Sequence, residues 1–310
     1  MNLFITGAGG YIGGSVAAAL LASGHQVRGL IRNPHGAQQL AARGIAPVLG
    51  TLDDADLLAR EARQSDGVIN TANADQLGAV QALIAGLAGS GKPLLHTSGS
   101  SVIGDDARGN HLSAQVFDDE ALLRVNPAKQ ARRDIDLMVL GAAARGVRSA
   151  VICPSLIYGM GTGLNPHSVQ IPFLAANARQ QGTVEIVGAG VNVWSHVHID
   201  DVVSLYLLAF TKAPAGAFYF AENGEVSFAE LGAAIARRLG LPGVTSLPAE
   251  AAAQRWGEAK AYFSLGSNSR VRAARARADL GWLPRHASVL DWIAHEWPIE
   301  APSSSPPGLT

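Results

Sequence analysis

The first fourteen residues constrain the fold more than any other part of the chain. Leu3 to Thr6 is a short apolar run with the length of a buried parallel strand. Gly7, Gly10 and Gly13 follow it at three-residue spacing, and the small residues from Ser15 to Ala22 favour a helix. A strand, a glycine turn and a helix in this order are the context that a dinucleotide site requires.

Each glycine has its own physical role in such a turn. Gly7 permits the tight turn, Gly10 lets the backbone approach a pyrophosphate, and Gly13 lets the helix pack close to the strand. Backbone N–H groups at the helix N-terminus, where Tyr11 and Ile12 lie, are suited to hold the phosphates. We therefore predict cofactor contacts from these five residues, with the Tyr11 ring in a structural role. A glycine-rich turn without a ligand is the alternative.

Composition excludes several classes of protein. The chain has 310 residues, 48% hydrophobic and 16% charged, so it is long and apolar enough for a large core. A net charge of −1 argues against nucleic acid or an anionic membrane as partner. No apolar stretch reaches membrane-spanning length, and the first strand leaves no room for a signal peptide. Cys153 is the only cysteine, which excludes a disulfide framework. We predict a cytoplasmic protein.

Strand and helix patterns alternate along the first half of the chain. This alternation predicts an α/β fold with a doubly wound parallel Rossmann sheet. A long helix is predicted at 120–144. From Met160 onward Gly and Pro are frequent and the helices are shorter, which indicates a smaller C-terminal α/β substrate lobe. The predicted division is a Rossmann domain over 1–157, to which 191–212 returns, a substrate lobe over 158–190 and 213–302, and a disordered tail over 303–310.

The end of the second strand favours NADP over NAD. A Rossmann fold reads the adenosine ribose here, and an acidic residue would select NAD through the ribose 2′-OH. Arg32 stands there instead, with Arg28 earlier in the strand. A guanidinium pairs well with a 2′-phosphate. We predict NADP (NADPH) as the preferred cofactor, with NAD possible. A merely solvated Arg32 is the alternative.

Later motifs add a family resemblance. They include the serine-rich segment Gly99–Asp105, the sixth-strand exit Pro154–Gly159, the turn Gly188–Gly190, the segment His196–Val202 and Leu280–Pro284. With the glycine turn, their order and spacing resemble the extended branch of the short-chain dehydrogenase/reductases, the NAD(P)-dependent epimerase/dehydratase-like proteins. The resemblance covers Met1 to about Ile293 and implies a Rossmann domain with a smaller substrate lobe.

The resemblance also implies site residues. Those placed beside the cofactor are Leu52, Thr71, Ala72, Thr97, Lys129, Pro154 and Ile157. Those placed near the substrate are Ser101, Val125, Tyr158, Asn165, His167, Trp194 and His196. Family members form dimers through a four-helix bundle, here the helices near 77–88 and 120–144, so a homodimer is expected.

The catalytic residues depart from the family pattern. The family uses a tyrosine four residues before a lysine, with a serine or threonine at the fifth-strand exit. The lysine matches as Lys129, but Val125 occupies the tyrosine position and cannot transfer a proton. The serine position falls on Gly99, with Ser98 and Ser100 as adjacent substitutes. The chain thus resembles the atypical members, and Lys129, Ser98 and Ser100 are the predicted catalytic residues.

Two functions from different classes follow. The first is an NADP-dependent reductase of a small carbonyl or conjugated substrate, in which Lys129 and a serine or water replace the tyrosine; Tyr158 is a less favoured phenol. The second is a non-catalytic NADP-binding sensor, and an epimerase or dehydratase is a lesser alternative. No metal site is predicted, because the end of a strand and a helix capped by Asp200 or Asp201 explain His196, His198 and Asp200 better. The arginines from Arg270 to Arg277 are interpreted as a solvated helix.

Overall fold

A parallel β-sheet between two layers of helices forms the larger part of the protein. The computed structural model describes residues 1–119, 123 and 125–298. The strands, in chain order, are β1 (Asn2–Thr6), β2 (Gln26–Ile31), β3 (Ala46–Leu49), β4 (Gly67–Asn70), β5 (Pro93–Thr97), β6 (Phe117–Asp118), β7 (Arg148–Pro154), β8 (Leu156–Tyr158), β9 (Val184–Val187), β10 (Val193–His198), β11 (Ala217–Ala221), β12 (Glu225–Ser227), β13 (Val244–Leu247) and β14 (Val271–Arg272).

The helices alternate with these strands. They are α1 (Tyr11–Ala22), α2 (Pro34–Ala42), α3 (Ala55–Gln64), α4 (Leu77–Leu87), α5 (Gln130–Gly141), α6 (Gln170–Gln181), α7 (Ile199–Lys212), α8 (Phe228–Leu239), α9 (Ala249–Trp256), α10 (Glu258–Lys260), α11 (Ala274–Leu280) and α12 (Val289–Asp291). Short 3₁₀ turns cover Ser100–Ile103, Pro127–Lys129 and Ala142–Arg145, and π-helical turns cover Ala261–Leu265 and Trp292–Glu296. One helical layer contains α3, α4 and α5, and the other contains α1 and α7.

The order of the main sheet confirms the predicted fold class. In the described part of the chain it has seven parallel strands in the order β11-β7-β5-β4-β1-β2-β3. Leu3 pairs with Val27 on one side and with Gly67 on the other. The strand order therefore reverses between β1 and β4. In doubly wound sheets, ligands bind in the crevice outside the carboxyl ends of the strands at this switch point.

Two apolar clusters hold the molecule together. The first lies around the main sheet, whose β1 side chains Leu3, Phe4 and Ile5 are fully buried. A parallel sheet covered by helices on both faces requires such continuous apolar strands. The second cluster packs helices α6 and α8 against β9 and forms the core of a smaller unit. That unit also contains the small sheet β12-β10-β8.

Strand β11 differs from the predicted division of the chain. The division placed 213–302 in the substrate lobe, yet Ala217–Ala221 pairs in parallel with β7 at the edge of the main sheet. All five residues of β11 are buried. Helix α7 carries the chain back to this edge, so an apolar strand that follows it completes the larger core. The rest of the domain division stays a prediction.

The helix predicted at 120–144 begins later in the structure. Helix α5 starts at Gln130, after a 3₁₀ turn over Pro127–Lys129. Proline disfavours a helical residue before it, and Asn126 is accordingly extended (ψ 140°) and caps the Ala128 N–H. Positions 120–122 and 124, like the predicted tail 303–310, lie outside the described residues. Lys129 therefore lies at the start of α5.

The arginine-rich segment also differs from its interpretation as a solvated helix. Helix α11 begins at Ala274, while Arg272 lies in strand β14. Arg270 and Arg272 both bind Glu225, and Arg277 binds the buried Glu222. These ion pairs neutralise the arginines and fasten the last part of the chain to β12. None of the helices in the described part of the chain combines the length and the apolar character needed to cross a membrane.

Candidate functional site

The glycine turn between β1 and α1 lies at the switch point of the sheet. Gly7 has a φ of +73°, and its carbonyl accepts a hydrogen bond from the Gly10 N–H at 2.8 Å. A Cβ on Gly13 would lie 2.2 Å from Thr71 Oγ1 and 2.3 Å from the Gly7 oxygen, so only glycine fits. Thr71 Oγ1 in turn donates to the Thr6 carbonyl. The turn is therefore locked against the end of β4.

The N-terminus of α1 fits a pyrophosphate. Gly10 is its N-cap residue, and no side chain of the described residues caps the helix. A Cβ on Gly10 would meet only the Gly7 oxygen, at 3.1 Å, so its outer side is open to a ligand. Tyr11 and Ile12 present the first backbone N–H groups of a twelve-residue helix. This uncapped N-terminus is suited to an anion.

The Tyr11 side chain is anchored to the chain itself. Its hydroxyl donates to the carbonyls of Tyr158 and Gly159, at 3.0 and 2.8 Å. Burial raises the pKa of this phenol, which keeps it protonated. Tyr11 thus connects the glycine turn to the exit of β8 and presents only its backbone to the phosphate position.

The loop after β8 lies against the glycine turn. The Asn165 N–H donates to the Gly9 carbonyl at 3.3 Å, and the Thr162 N–H donates to Ser15 Oγ at 3.1 Å. The Asn165 carboxamide accepts from the His167 N–H. The structure therefore places Asn165 beside the phosphate position, whereas the sequence placed Asn165 and His167 at the mouth of the substrate cleft.

The end of β2 presents an arginine that has no partner among the described residues. Arg32 is exposed at the end of β2 and makes no ion pair or hydrogen bond with the described residues. Arg28, in contrast, binds the buried Glu61 at 2.8 Å. Leu52 is half-buried after β3, and its neighbour Asp53 accepts from Gln76 at 2.6 Å, across the crevice. Of the two arginines, only Arg32 is available to a 2′-phosphate.

The end of β5 uses most of its hydroxyl groups internally. Thr97 Oγ1 lies 2.6 Å from the Tyr206 hydroxyl, and Ser98 Oγ donates to Asp136 at 2.9 Å. Ser100 Oγ accepts from Ser269 at 2.7 Å, and its side chain is buried. Ser98 and Ser100, the serines predicted to be catalytic, therefore point to buried partners. Ser101 is the half-buried serine of this segment.

Charged side chains gather above this strand end. Arg132 binds Asp75 through Nε and Nη2, at 2.7 and 2.5 Å, and its Nη1 lies 3.4 Å from Ser101 Oγ. Lys129 is half-buried one turn earlier, with Nζ 5.0 Å from the centroid of the Phe263 ring. Burial, and next the positive charge of Arg132, lower the pKa of Lys129. The amine thus lies near the smaller unit and within electrostatic reach of Arg132.

A buried pair lies beneath these groups. His96 Nε2 and Asp136 Oδ1 are 4.0 Å apart, and neither atom has a hydrogen-bond partner among the described residues. Burial lowers the pKa of His96 to about 4 and raises that of Asp136 to about 7. His96 accepts from Asn70 through Nδ1 and is neutral at pH 7. Asp136 therefore holds a proton at a pH where most aspartates are ionised.

Replacing Asp136 with asparagine is expected to flatten the pH dependence of stability. Because the folded carboxyl binds its proton more tightly than the unfolded one, its contribution is complete below the ordinary pKa and is lost as the pH rises through about 7. Urea unfolding between pH 4 and 8 measures this. The free energy of unfolding of the wild type should fall relative to that of Asp136→Asn over this interval, and parallel curves would contradict the raised pKa.

Three predicted substrate residues are buried in the smaller unit. The Tyr158 hydroxyl donates to the His286 carbonyl at 3.0 Å, and Trp194 Nε1 donates to the Ser267 carbonyl at 2.9 Å. His196 packs edge-on against Tyr158, and burial lowers its pKa to about 4. The sequence placed all three at the substrate cleft. The alternation of side chains along β8 and β10 instead directs them toward the second apolar cluster. Their fixed contacts are those of core residues.

A cavity of about 240 Å³ lies beside the Val125 position instead. Val125 and Asn126 form one wall, and the turn after β5 forms another. The remaining lining residues come from the 113–117 segment and from Asn268 and Arg270. Pro154 is buried at the end of β7, and Ile157 is half-buried in β8, paired with Val197. The cavity is open and lies next to the Lys129 segment.

The segment from His198 to Asp200 begins helix α7. His198 is its N-cap, and Nδ1 accepts from the Asp200 N–H at 3.2 Å, so histidine and not an aspartate supplies the cap. His198 also stacks on His286, with centroids 3.9 Å apart. Ligand atoms of these two histidines and Asp200 lie within 4.8 Å of one another. His196 is not part of this group.

Sequence reasoning missed the charged pair Asp75–Arg132 and the buried carboxyl of Asp136. Arg132 and Asp136 lie three and seven residues after Lys129, which places them on the same side of a helix. That spacing was the available signal. Asp75 follows β4 at a distance of 57 residues from Arg132, and only the fold brings the two together.

With its glycine turn at the switch point, the molecule falls in the class of Rossmann-type dinucleotide-binding proteins. The family model described as NAD dependent epimerase/dehydratase family matches residues 3–219. This chain belongs to that family.

Individual relatives agree with this assignment. The chain is 31% identical over 309 residues to the uncharacterized protein C2A9.02 of Schizosaccharomyces pombe, covering 96% of this chain and 99% of that protein. It is 29% identical to a 4-hydroxy-2-methyl-3-oxo-4-farnesyl-3,4-dihydroquinoline-1-oxide ketoreductase of Stigmatella aurantiaca, covering 72% and 69%. The dTDP-glucose 4,6-dehydratase DesIV of Streptomyces venezuelae, solved with NAD and TYD bound, superposes with a TM-score of 0.75 at 22% identity, covering 95% of each chain. At 22% identity, this structural similarity is evidence for the fold alone.

Proposed function

We propose that this protein is an NADPH-dependent reductase of a small carbonyl or conjugated substrate, with Lys129 in place of the usual tyrosine. Its family and its reductase-named relatives make it an NAD(P)-dependent oxidoreductase of the short-chain dehydrogenase/reductase type. The observation that carries the finer proposal is the half-buried Lys129, which feels the charge of Arg132 and follows the cavity-lining Val125 by four residues.

The chain provides the contacts that a dinucleotide needs. The backbone N–H groups of Tyr11 and Ile12 are free to hold a pyrophosphate, Gly10 leaves room for its approach, and Leu52 lies at the adenosine side. The ends of β4, β5 and β7, with Ala72, Thr97 and Pro154, would border the other half of the dinucleotide. NADPH, when bound, supplies a hydride.

Arg32 supports NADPH as the preferred form. It is exposed and unpaired in the described part of the chain, at the strand end that reads the adenosine ribose. A guanidinium can bind a 2′-phosphate through two parallel hydrogen bonds. NADH has no 2′-phosphate, so Arg32 cannot strengthen its binding through these hydrogen bonds.

Arg32→Ser is expected to weaken NADPH binding by about 10- to 100-fold, because a hydrogen bond to a charged group contributes about 1.5–3 kcal/mol. NADH binding should change little, since NADH lacks the 2′-phosphate. Fluorescence titration of the purified protein with both nucleotides measures this. Arg60→Ser, an exposed arginine on α3, serves as the control. Equal losses for NADPH and NADH would refute the role of Arg32.

Lys129 has the properties of a proton donor. Burial and the positive charge of Arg132 lower the pKa of its ammonium, which makes the proton easier to release. A serine or a water completes the transfer, and Ser101 is the half-buried candidate. Ser98 and Ser100 have buried partners and are better suited to hold the strand end in place.

The cavity beside Val125 supports a small substrate. Its volume of about 240 Å³ admits a compact molecule, and its walls combine apolar side chains with the amides Asn126 and Asn268. Valine leaves room where the family has a tyrosine ring. A carbonyl oxygen directed from this cavity toward the end of β5 would meet Ser101 and Arg132.

Two further properties belong to the proposal. The near-neutral charge and the single, buried cysteine support a cytoplasmic location.

A homodimer through α4 and α5 is supported by the exposed apolar side chains Leu77 and Leu137 on these two helices. The molar mass in solution tests the dimer.

The proposed activity is tested by titration with NADPH and NADH, followed by NADPH oxidation against acetophenone, benzaldehyde and cyclohexenone. Tight NADPH binding with oxidation by at least one of these supports the reductase. Tight binding without oxidation by any of the three would instead support the non-catalytic sensor.

A further inference from the structure

The guanidinium of Arg132 is held in one orientation by Asp75. Nε and Nη2 donate to the two carboxylate oxygens, at 2.7 and 2.5 Å, which is the two-pronged geometry that fixes a guanidinium plane. The pair joins the N-terminal ends of α4 and α5 across 57 residues. Because two of the three nitrogens bind Asp75, the third nitrogen, Nη1, has a defined direction.

Nη1 points to the end of β5. It lies 3.4 Å from Ser101 Oγ, a long contact that leaves donor capacity unused. It would lie 3.7 Å from a Cβ at Gly99, so the missing side chain at Gly99 leaves space directly in front of the guanidinium. Arg132 is 21% exposed, enough for a ligand to reach it but not enough for full hydration.

Arg132 Nη1 lies at the strand ends where a substrate of the proposed reaction would meet the nicotinamide half of the cofactor. A dinucleotide bound across the switch point places its second half over β4, β5 and the strands beyond. Nη1 and Ser101 Oγ border the end of β5, and the cavity at Val125 begins at the same turn. A substrate that extends from this cavity to the end of β5 would bring its carbonyl oxygen to these two donors.

We infer that Arg132 is a catalytic residue, whose Nη1 together with the Ser101 hydroxyl hydrogen-bonds the carbonyl oxygen of the substrate. The inference rests on the proposed reductase function. It divides the work of the missing tyrosine between two residues: Arg132 binds the oxygen as negative charge develops on it, and Lys129 provides the proton.

Reduction of the carbonyl group requires one hydride and one proton. The carbonyl carbon gains the hydride that NADPH supplies, and the π pair of the C=O bond moves onto the oxygen. That oxygen then takes a proton from the Lys129 ammonium, and the amine regains one from water. The products are an alcohol and NADP⁺. With a conjugated substrate the hydride goes to the β-carbon, and the same two donors hold the enolate oxygen.

Arginine suits this role because it stays protonated and its planar fork can bind Asp75 and a substrate at once. Fixed donors aimed at a developing oxyanion contribute about 100- to 1,000-fold in kcat. Lys129, with a single flexible ammonium, cannot bind Asp75 and present a second donor in a fixed direction.

The test compares Arg132→Gln and Arg132→Lys with the wild type, using whichever of acetophenone, benzaldehyde and cyclohexenone is reduced fastest. Both variants should lose about 100- to 1,000-fold in kcat, with KM and the NADPH dissociation constant changed less than about threefold. Arg275→Gln removes a surface arginine paired with Asp279 and is the control. A kcat within about threefold of the wild type for Arg132→Gln would overturn the inference.

A second readout separates a direct contact from an effect through Lys129. The chain has four lysines, so reductive ¹³C-methylation of the protein without cofactor gives a simple NMR titration of the Lys129 amine. Removing Arg132 should raise the pKa of Lys129, because Arg132 lowers it. A higher pKa makes Lys129 a weaker acid, but this can slow proton transfer by no more than the factor by which its acid dissociation constant falls. A loss in kcat well beyond that factor supports the direct contact, whereas a loss no larger than that factor would make Arg132 a positioning residue.

The same assays distinguish a failure of the reductase activity from a failure of the Arg132 role. If the wild type binds NADPH but oxidises it with none of the three carbonyl compounds, the proposed function fails and the inference fails with it. If the wild type is active and Arg132→Gln is equally active, only the inference fails.

Discussion

Lys129→Met is expected to lower kcat by at least about 100-fold, because a positioned general acid contributes about 10²- to 10⁴-fold. Methionine keeps much of the length and volume of the side chain and removes the proton. Because Lys129 is also proposed to contact the cofactor, NADPH binding should weaken, but by a much smaller factor than the rate. Steady-state kinetics together with a fluorescence titration of NADPH separates the two effects.

Lys260→Met is the matched control for this variant. Lys260 is also half-buried, its Nζ lies 3.8 Å from the centroid of the Phe173 ring, and burial lowers its pKa. It belongs to the smaller unit and does not face the end of β5. Its replacement should leave kcat near that of the wild type. Equal kcat values for Lys129→Met and Lys260→Met would exclude Lys129 as the acid.

Gly13→Ala is expected to cost about 1–3 kcal/mol of stability and to abolish tight NADPH binding. The new methyl group would lie 2.3 Å from the Gly7 oxygen and 2.8 Å from the Gly7 carbonyl carbon, both in the backbone. The turn can accept it only by moving α1 away from β1, which displaces the N–H groups that face the phosphate. Thermal unfolding with and without NADPH measures both consequences.

Gly78→Ala supplies the control for the glycine substitution. Gly78 is the second residue of α4, and a Cβ added there meets no atom within 4 Å. Alanine should be neutral or slightly stabilising at this position, because it favours the helix. If Gly13→Ala also unfolded like the wild type and bound NADPH normally, the glycine turn would not be the phosphate site.

Most of the large sheet could be predicted from the sequence. The central strand β1 coincides with the apolar run from Leu3 to Thr6, because a strand buried on both faces must be apolar through most of its length. The start of α5 could not be predicted from the apolar pattern alone. There the restriction that Pro127 places on Asn126 overrides the pattern, which continues through both residues.

The site was less predictable than the fold. The glycines were identified because the tight turn and the close strand–helix approach leave a spacing in the sequence. Ser98 and Ser100 were favoured as hydroxyls at a strand end, but their directions depend on Asp136 and Ser269, which lie 38 and 169 residues away. Arg132 was missed for a similar reason, since its orientation is fixed by Asp75. The roles of all these residues stay predictions.

The most direct test of the reductase proposal is hydride transfer itself. NADPH deuterated at the transferable position of the nicotinamide would be incubated with the protein and cyclohexenone, benzaldehyde or acetophenone, and the product would be analysed by mass spectrometry. We predict one deuterium on carbon in the product of the wild type and a strong reduction in its amount with Lys129→Met. Unlabelled substrates recovered unchanged, despite saturating NADPH bound to the protein, would contradict the reductase and leave an NADP-binding protein without turnover.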